Sequence, residues 1–206
     1  MKLAIFKYQD RHKIFLALLS ALAVFIAGCV ATTTPNLALG TGGAVKLSEA
    51  YNIAKPSALS KLGPDADIFN GVTFALKEDG TSNMWLVSFC SPSQMKSIVA
   101  GIENGAVAVV SDVITLDPNE EEFCEPLKSN MKDSSEVMAV LPEAKSCIAS
   151  GKQGLFIIFY NPKADNEEGL VWKVICEQKY WDVDIYTGRL VDSGEGAPSI
   201  SLPSIR

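Results

Sequence analysis

Cysteine is the residue type that offers this 206-residue chain most of its chemistry. Cys29 lies near the N-terminus, and four more cysteines follow it: Cys90, Cys124, Cys147 and Cys176. In an exported chain, which the N-terminal segment described below predicts, an even number of distant cysteines favours two disulfides. Buried free thiols and a metal site are the alternatives, although a four-thiolate zinc site is built from close Cys-x-x-Cys pairs, which this sequence lacks. We therefore expect structural disulfides, with no metal and no cofactor.

Histidine occurs only once, as His12, and this excludes several kinds of active site from the rest of the chain. Ser-His-Asp triads, Cys-His dyads and histidine-ligated zinc all need the imidazole ring. Residues 29–206 carry 14 basic and 23 acidic side chains, a net charge of −9. Nucleic-acid binding needs clustered Lys and Arg to contact phosphates. We therefore expect neither an enzyme nor a nucleic-acid partner.

Residues 1–28 have the pattern of a secretory signal peptide. Basic residues precede an apolar run of about 15 residues, which is shorter than the roughly 20 that a membrane-spanning helix needs. Residues 26–29, Ile-Ala-Gly-Cys, resemble the lipobox of bacterial lipoproteins. The resemblance implies lipid on the Cys29 thiol and removal of residues 1–28. An ordinary cleaved signal with a chance cysteine and an uncleaved anchor helix are the alternatives.

The same resemblance implies a location. Val30 follows the cysteine, at the position where an Asp retains enteric-type lipoproteins at the inner membrane. For a Gram-negative source we therefore expect a cell-envelope protein at the outer membrane that faces the periplasm. Residues 29–45 are rich in Thr and Gly and have no lasting hydrophobic period, which predicts a flexible tether behind the lipid.

The body of the chain contains landmarks that recur at a nearly constant distance. Six pairs are separated by 83 to 88 residues, among them Trp85 with Trp172 and Cys90 with Cys176. A fixed offset is the signature of an internal repeat. The sequence therefore predicts repeat 1 over 46–116, an acidic linker over 117–132, repeat 2 over 133–193 and a C-terminal tail over 194–206. Two unrelated α+β halves are the alternative.

Each predicted repeat has the pattern of one helix followed by an antiparallel meander, which makes the fold class α+β. Apolar residues recur every three or four positions over 47–62 and again over 137–148. Pro56 and Pro142 fall inside these patterns, so we expect a kink or a second helical piece. In the first strand, Val72, Phe74 and Leu76 are predicted to share one face. Residues 155–160 are apolar on both faces, which places that strand where the repeats meet.

The last hairpin, residues 169–194, resembles the PepSY domain. Trp172 and Val174 match its Trp-x-Val strand, and the following strand ends in the family's Asp-x-x-Thr-Gly turn at Asp184, Thr187 and Gly188. Repeat 1 keeps only the glycine of this turn. The resemblance implies association with, or inhibition of, proteases and other envelope proteins. A rival with the same helix-plus-meander pattern is the fold of the tandem-repeat β-lactamase inhibitor proteins, whose usual Gly-Met-Thr helix start is missing here.

Strand facing predicts which cysteines pair. Cys176 shares the face of Trp172 and Val174, toward the helix that carries Cys147. Cys90 points to the opposite face, where a wrapping segment at Cys124 can reach it. We therefore expect Cys147 bonded to Cys176 and Cys90 bonded to Cys124. A bond between Cys90 and Cys176 would mean instead that equivalent strands of the two repeats pair.

One strand, 180–186, offers a candidate partner surface. If Trp181, Val183 and Ile185 face the core, the alternate residues form an exposed ladder of aromatic and acidic side chains: Tyr180, Asp182, Asp184 and Tyr186. Tyrosine is common among the residues that dominate protein interfaces. Cross-strand pairs that meet no partner are the alternative. Residues 165–169 are interpreted as a polar hairpin turn.

These observations together predict a lipid-anchored cell-envelope protein that acts by binding. The function they favour is a protease-associated or inhibitory PepSY-like module. A structural subunit of an envelope assembly or secretion machine, held by the same anchor, is the alternative. The membrane and an envelope protein are the expected partners, and the oligomeric state stays open.

Overall fold

The first helix, α1 (Leu47–Leu62), forms because its apolar residues recur every three or four positions and make one buried stripe: Leu47, Ala50, Ala54, Ala58 and Leu62. The computed structural model describes residues 42–116, 124 and 126–196. Helix α1 runs without a break through Pro56 and ends at Gly63, whose φ of 101° suits glycine. The first proline therefore does not divide its helix into two pieces.

The second helical region is divided at its proline. Helix α2 (Ser134–Ala139) ends before Leu141, and helix α3 (Pro142–Ala149) begins with the proline as its first residue. Proline suits that position because its missing N–H would have no partner there. Gly151 follows α3 with a φ of 86°.

Nine strands form one antiparallel sheet within the described residues. The first meander is β1 (Asp67–Leu76), β2 (Met84–Ser91), β3 (Lys96–Glu103) and β4 (Ala106–Val110), followed by the short β5 (Ile114–Thr115). The second meander is β6 (Gly154–Tyr160), β7 (Leu170–Cys176), β8 (Lys179–Asp184) and β9 (Leu190–Glu195). Their order across the sheet is β4-β3-β2-β1-β6-β7-β8-β9, and β5 pairs with β3.

The two meanders meet at β1 and β6. These strands are antiparallel, with Val72 opposite Ile157 and Thr73 opposite Phe156. Strand β6 therefore lies in the middle of the sheet, as its two-sided apolar pattern predicted. The α+β class is confirmed, and one continuous sheet joins the two meanders.

The facing predicted for β1 is wrong in part. Leu76 belongs to the core between the helices and the sheet, whereas Val72 does not. The register against β6 shifts between Thr73 and Leu76, so an extra residue lies between the two positions. Such a bulge reverses the alternation of the side chains that follow it.

Aromatic rings fill the centre of the core. Phe156 stacks on Trp172 with ring centroids 4.5 Å apart and meets Trp85 edge to face at 5.8 Å. Both indoles donate a hydrogen bond to a carbonyl 40 residues upstream: Trp85 to Val45 at 2.9 Å and Trp172 to Lys132 at 2.8 Å. A buried indole N–H needs such a partner.

Asp133 joins the N-termini of α1 and α2. Its Oδ1 accepts hydrogen bonds from the N–H of Ser134 at 2.8 Å and from the N–H of Ser48 at 3.1 Å. Its Oδ2 accepts the Ser48 hydroxyl at 2.7 Å, and the Ser134 hydroxyl accepts the Leu47 N–H at 3.1 Å. One carboxylate therefore caps two helices, whose positive dipole ends both favour an anion.

The described part of the predicted linker packs against the body. Cys124 and Leu127 are buried, and the Leu127 N–H donates to the carbonyl of Ile68 at 2.8 Å. Residues 117–123, where its acidic run lies, fall outside the described residues.

The sheet has two ends that differ in character. At the first, called here the tether end, lie the β1–β2 connection (77–83), the β3–β4 turn (104–105) and the β7–β8 turn (177–178). At the opposite one, called the loop end, lie the β6–β7 loop (161–169) and the β8–β9 turn (185–189). No helix among the described residues is both long and apolar enough to cross a membrane.

Candidate partner-binding surface

The structure forms two disulfides between the four body cysteines. Cys90 bonds to Cys124, with Cα atoms 5.6 Å apart, and Cys147 bonds to Cys176, with Cα atoms 6.3 Å apart. These are the pairs that strand facing predicted. Cys29 and most of the predicted tether lie outside the described residues, so its lipidation stays a prediction.

The phase predicted for β8 agrees with the structure, but the exposure of its acidic residues does not. Trp181 and Val183 are buried in the core. Asp182 and Asp184 lie on the opposite side, yet they are only 2% and 0% exposed. The expectation of an exposed ladder is therefore wrong for both carboxylates.

The β6–β7 loop buries these carboxylates. Residues 161–169 do not form a short turn but fold back over the sheet face on which none of the described helices packs, called here the outer face. Asn161 Nδ2 reaches across β7 and donates to Asp182 Oδ2 at 2.8 Å. Lys163 Nζ reaches further, to Asp192 of β9 at 2.9 Å. The alternation of apolar and polar residues could not predict that the loop buries these carboxylates, because the loop folds over strands that come after it in the chain.

Asp182 is also half of a buried ion pair. Lys173 Nζ lies 2.7 Å from Asp182 Oδ1, and the two side chains are 10% and 3% exposed. The ammonium lies 4.2 Å from the ring centre of Tyr180 and 5.0 Å from that of Phe159. Aromatic faces attract a cation, so both rings add to the pair.

Sequence reasoning missed Lys173, although a signal was present. The lysine interrupts an apolar strand between Trp172 and Val174, at a position that faces away from the core. In the register of the sheet it lies directly opposite Asp182. A basic and an acidic residue at facing positions of neighbouring strands predict such a pair once the register is known.

Asp184 organises the turn that follows it. Its Oδ1 accepts the N–H groups of Tyr186 at 3.0 Å and Thr187 at 2.8 Å, and its Oδ2 accepts Asn166 Nδ2 at 2.7 Å. Burial raises the pKa of Asp184, but the hydrogen bonds from Thr187, Asn166 and Tyr186 outweigh it and lower the pKa below its ordinary 3.8. The carboxylate is therefore a structural acceptor that holds the loop to the turn.

Replacing Asp184 by Asn should cost about 1–3 kcal/mol at pH 7, because the new amide group would face the Asn166 donor. The folded-state pKa is lowered, so the stabilisation from the charge is present above 3.8 and is lost as pH falls through the folded value. On going from pH 7 to pH 2, Asp184→Asn should therefore lose less stability than the wild type does. Chemical denaturation at several pH values across this range, which includes the ordinary pKa of aspartate, measures the difference.

A matched control for this measurement is Asp165→Asn, which removes an exposed carboxylate 3.0 Å from Arg189. This substitution should change the free energy of unfolding by no more than about 1 kcal/mol. If Asp184→Asn lost as much stability in acid as the wild type, the role of Asp184 as a charged acceptor would be contradicted.

Tyr186 lies in the turn beyond β8, not on the strand. Its ring packs against the core and lies 5.2 Å from Lys128 Nζ. Lys128 also forms an ion pair with Glu168 of the β6–β7 loop. Burial raises the pKa of Glu168, but the hydrogen bonds from Lys128 and Tyr186 outweigh it and the pKa is lowered. The predicted ladder is thus split, with Tyr180 on the outer face and Tyr186 at the loop end.

Several accessible groups lie at or beside the loop end. Arg189 and Lys163 have side chains 75% and 64% exposed, Asp165 is 51% exposed, and Leu190 beside them is 51% exposed. The hydrogen bonds and ion pairs of Asp184, Glu168 and Asn161 hold the segments that carry these groups. Within the described ranges, no three His, Cys, Asp or Glu side chains lie close enough to hold a metal ion.

Comparison with known proteins gives one structural likeness. No protein-family model matches the chain, and no curated protein matches it. The crystal structure of a "putative lipoprotein (CD1622)" from Clostridium difficile 630 has a TM-score of 0.49 to this chain at 12% identity. The likeness covers 78% of this chain and 99% of that one.

Proposed function

We propose that this chain is a lipid-anchored binding protein of the cell envelope, not an enzyme. In this proposal Cys29 carries the lipid, the anchor lies in the outer membrane, and two tandem PepSY-like repeats face the periplasm and contact an envelope protein such as a protease. The observation that carries the proposal is the Ile-Ala-Gly-Cys sequence at 26–29, which lies at the end of an apolar run behind a basic segment. Cys29 stands 13 positions before Gly42, where the described body begins.

The geometry of the two meanders supports the duplication. Each half supplies a helical region and four main strands, and the halves meet through β1 and β6. The two indole hydrogen bonds span 40 residues in each half, and the bond from the Leu47 N–H to the Ser134 hydroxyl joins residues 87 apart. Equivalent helix N-termini would meet in this way if one ancestral unit had been doubled.

The β8–β9 turn supports the PepSY likeness in the second half. Asp184 accepts two backbone N–H groups of the turn, and Gly188 has a φ of 72° that suits glycine. This is a physical reason for an Asp-x-x-Thr-Gly pattern. In the first half the corresponding β3–β4 turn is a two-residue turn at Asn104 and Gly105, without such an aspartate.

A fixed array of exposed groups supports a role in binding. Groups held in one arrangement before a partner arrives lose little conformational entropy on binding. Arg189 and Lys163 are held by carboxylates, and Asn166 ties the β6–β7 loop to Asp184. Charges on a partner that complement these groups would steer it into one register on this surface.

The anchor can be tested by expressing the full chain and analysing the membrane-extracted protein by mass spectrometry. We expect a diacylglyceryl cysteine at position 29 as the first residue, because two or more acyl chains give a nearly irreversible anchor. Cys29→Ala should leave the membrane fraction, whereas Leu37→Ala, also in the tether, should stay there. An N-terminus elsewhere, or membrane-bound Cys29→Ala, would refute the proposal.

A further inference from the structure

We propose that the disulfide between Cys147 and Cys176 is a site of thiol–disulfide exchange, and that its reduction releases helix α3 from the sheet. The atom that is attacked is Cys147 Sγ. The co-reactant is a thiolate, supplied either by a small thiol such as glutathione or by a protein that carries a Cys-x-x-Cys dithiol. The proposal does not depend on the lipid anchor, and it adds a redox response to the binding role proposed above.

The two disulfides differ in their access to solvent. Cys90 and Cys124 are 0% and 6% exposed, so solvent hardly reaches the bond between them. Cys176 is 0% exposed, but its partner Cys147 is only half-buried. A thiolate has to reach one sulfur atom of the bond that it breaks, so access decides which disulfide reacts. Of the four bonded cysteines, Cys147 is the one that a thiolate can approach.

Cys147 lines an open cleft of about 570 Å³ between α3 and the β7–β8 hairpin. A cleft of this volume is large enough to admit a small-molecule ligand. Two lysines, Lys152 and Lys179, line it together with two glutamates, Glu143 and Glu177. The cleft therefore does not share the net negative charge of the body, which would repel an approaching thiolate.

Exchange at this site takes two displacements. The incoming thiolate bonds to Cys147 Sγ, the S–S bond breaks, and its electron pair leaves on Cys176 Sγ, which takes up a proton. A second thiolate attacks the external sulfur of the mixed disulfide and releases Cys147 as a thiolate, which is protonated in turn. Two external thiols are thereby oxidised to one disulfide while the protein disulfide gains two electrons, and the oxidised co-reactant can reverse both steps.

Helix α3 depends on this bond because its own packing is small. Helix α1 buries five side chains, whereas α3 buries only Ala144 and Ile148. Ile148 lies over the start of β6, where a Cβ at Gly154 would be 2.7 Å from its Cδ1. An eight-residue helix is not stable without tertiary packing, and two side chains supply little of it. Reduction should therefore free α3 and uncover the start of β6 while α1 and the sheet stay folded.

The exchange is measured on the full chain in detergent, after free thiols are blocked with N-ethylmaleimide. Glutathione or a thioredoxin-type protein dithiol is added at equal thiol concentration. New thiols are then labelled with isotopically heavy N-ethylmaleimide and mapped by mass spectrometry. We expect labelling of Cys147 and Cys176 to be at least about tenfold faster than labelling of Cys90 and Cys124. Equal rates at the two disulfides, or faster labelling of Cys90 and Cys124, would overturn the proposal.

The attacked sulfur is identified from the mixed disulfide that glutathione leaves when the reaction is quenched with acid. We expect the glutathione adduct on Cys147, and an adduct on Cys176 instead would refute attack through the cleft. The rate should also stay constant in low urea, because the cleft is open in the folded protein. A rate that rises with urea as steeply as global unfolding would refute it as well. The reductant that reacts faster assigns the co-reactant to the small-thiol or the protein class.

Release of α3 is followed by amide hydrogen exchange before and after reduction of this disulfide alone. We expect exchange to increase over 145–149 and to stay unchanged over 50–62 in α1. The double variant Cys90→Ala with Cys124→Ala is the matched control: it lacks the other disulfide and should keep α3 protected. Protection of α3 that survives reduction, or an equal increase in α1, would contradict the release.

Discussion

Replacing Lys173 by Met should destabilise the body by about 3–5 kcal/mol, because it leaves the Asp182 carboxylate buried without its cation. Asp182 would keep only the Asn161 amide, 2.8 Å from Oδ2, as a partner. The substitution also removes the cation from the Tyr180 and Phe159 rings. Urea denaturation followed by tryptophan fluorescence measures the change, provided that the slope of the transition stays constant.

Two comparisons make this result specific to burial. The double variant Lys173→Met with Asp182→Asn should recover most of the loss, because it removes both charges and keeps an acceptor for Asn161. Lys163→Met is the matched control: it breaks a lysine–aspartate pair on the same outer face, but one whose lysine is 64% exposed, and should cost about 1 kcal/mol or less.

The comparison between Lys173→Met and Lys163→Met also defines the result that would contradict this account. Equal losses for Lys173→Met and Lys163→Met would show that the buried pair has no special weight.

Replacing Asp133 by Ala should cost about 2–4 kcal/mol, because one carboxylate caps two helices. Loss of a single N-cap typically costs about 0.5–2 kcal/mol, and a charge at a helix N-terminus adds up to about 1. The variant loses acceptors for the Ser134 N–H, the Ser48 N–H and the Ser48 hydroxyl together. Asp133→Asn keeps one acceptor oxygen, so its stability should lie between that of Asp133→Ala and that of the wild type.

Glu136→Ala is the control for this site. Glu136 accepts a hydrogen bond from the N–H of Asp133 at 2.9 Å and forms an ion pair with Lys132 at 3.1 Å. Removing its side chain should therefore lower the free energy of unfolding by about 1 kcal/mol. Amide hydrogen exchange separates the two variants further. Asp133→Ala should increase exchange at Ser48 of α1 as well as at Ser134 of α2, whereas Glu136→Ala should leave Ser48 unchanged. Protection at Ser48 that survives Asp133→Ala would contradict the shared cap.

Local patterns were sufficient to predict many elements of the fold. Apolar side chains that recur every three or four positions identified α1, and the glycines at 63 and 151 marked the ends of both helical regions. Strand alternation placed Trp172 and Val174 on the core face and Cys90 on the other. The sheet face to which a side chain points depends on its neighbours in the strand. Knowing the faces of Cys90 and Cys176 was therefore enough to predict the cysteine pairs that the structure forms.

Exposure on the outer face could not be predicted in the same way. Asp182 and Asp184 occur at alternate positions of a strand whose other residues are apolar, the pattern of a solvated face. They are buried because Asn161 and Asn166 reach them from a loop about 20 residues earlier in the chain. A side chain's solvent exposure depends on every segment that crosses it, and no local period records such a crossing.

The amino-acid sequence by itself determined the Ile-Ala-Gly-Cys motif at 26–29, the acidic composition of residues 29–206 and their lack of histidine, the helix-plus-meander order and the phase of most strands. All of these depend on residue type or on contacts between near neighbours. Only the tertiary structure decided that both meanders share one sheet through β1 and β6, that Asp133 caps two helices, and that Lys173 pairs with Asp182. These contacts join residues far apart in the chain, and their register becomes fixed only when the two halves pack against each other.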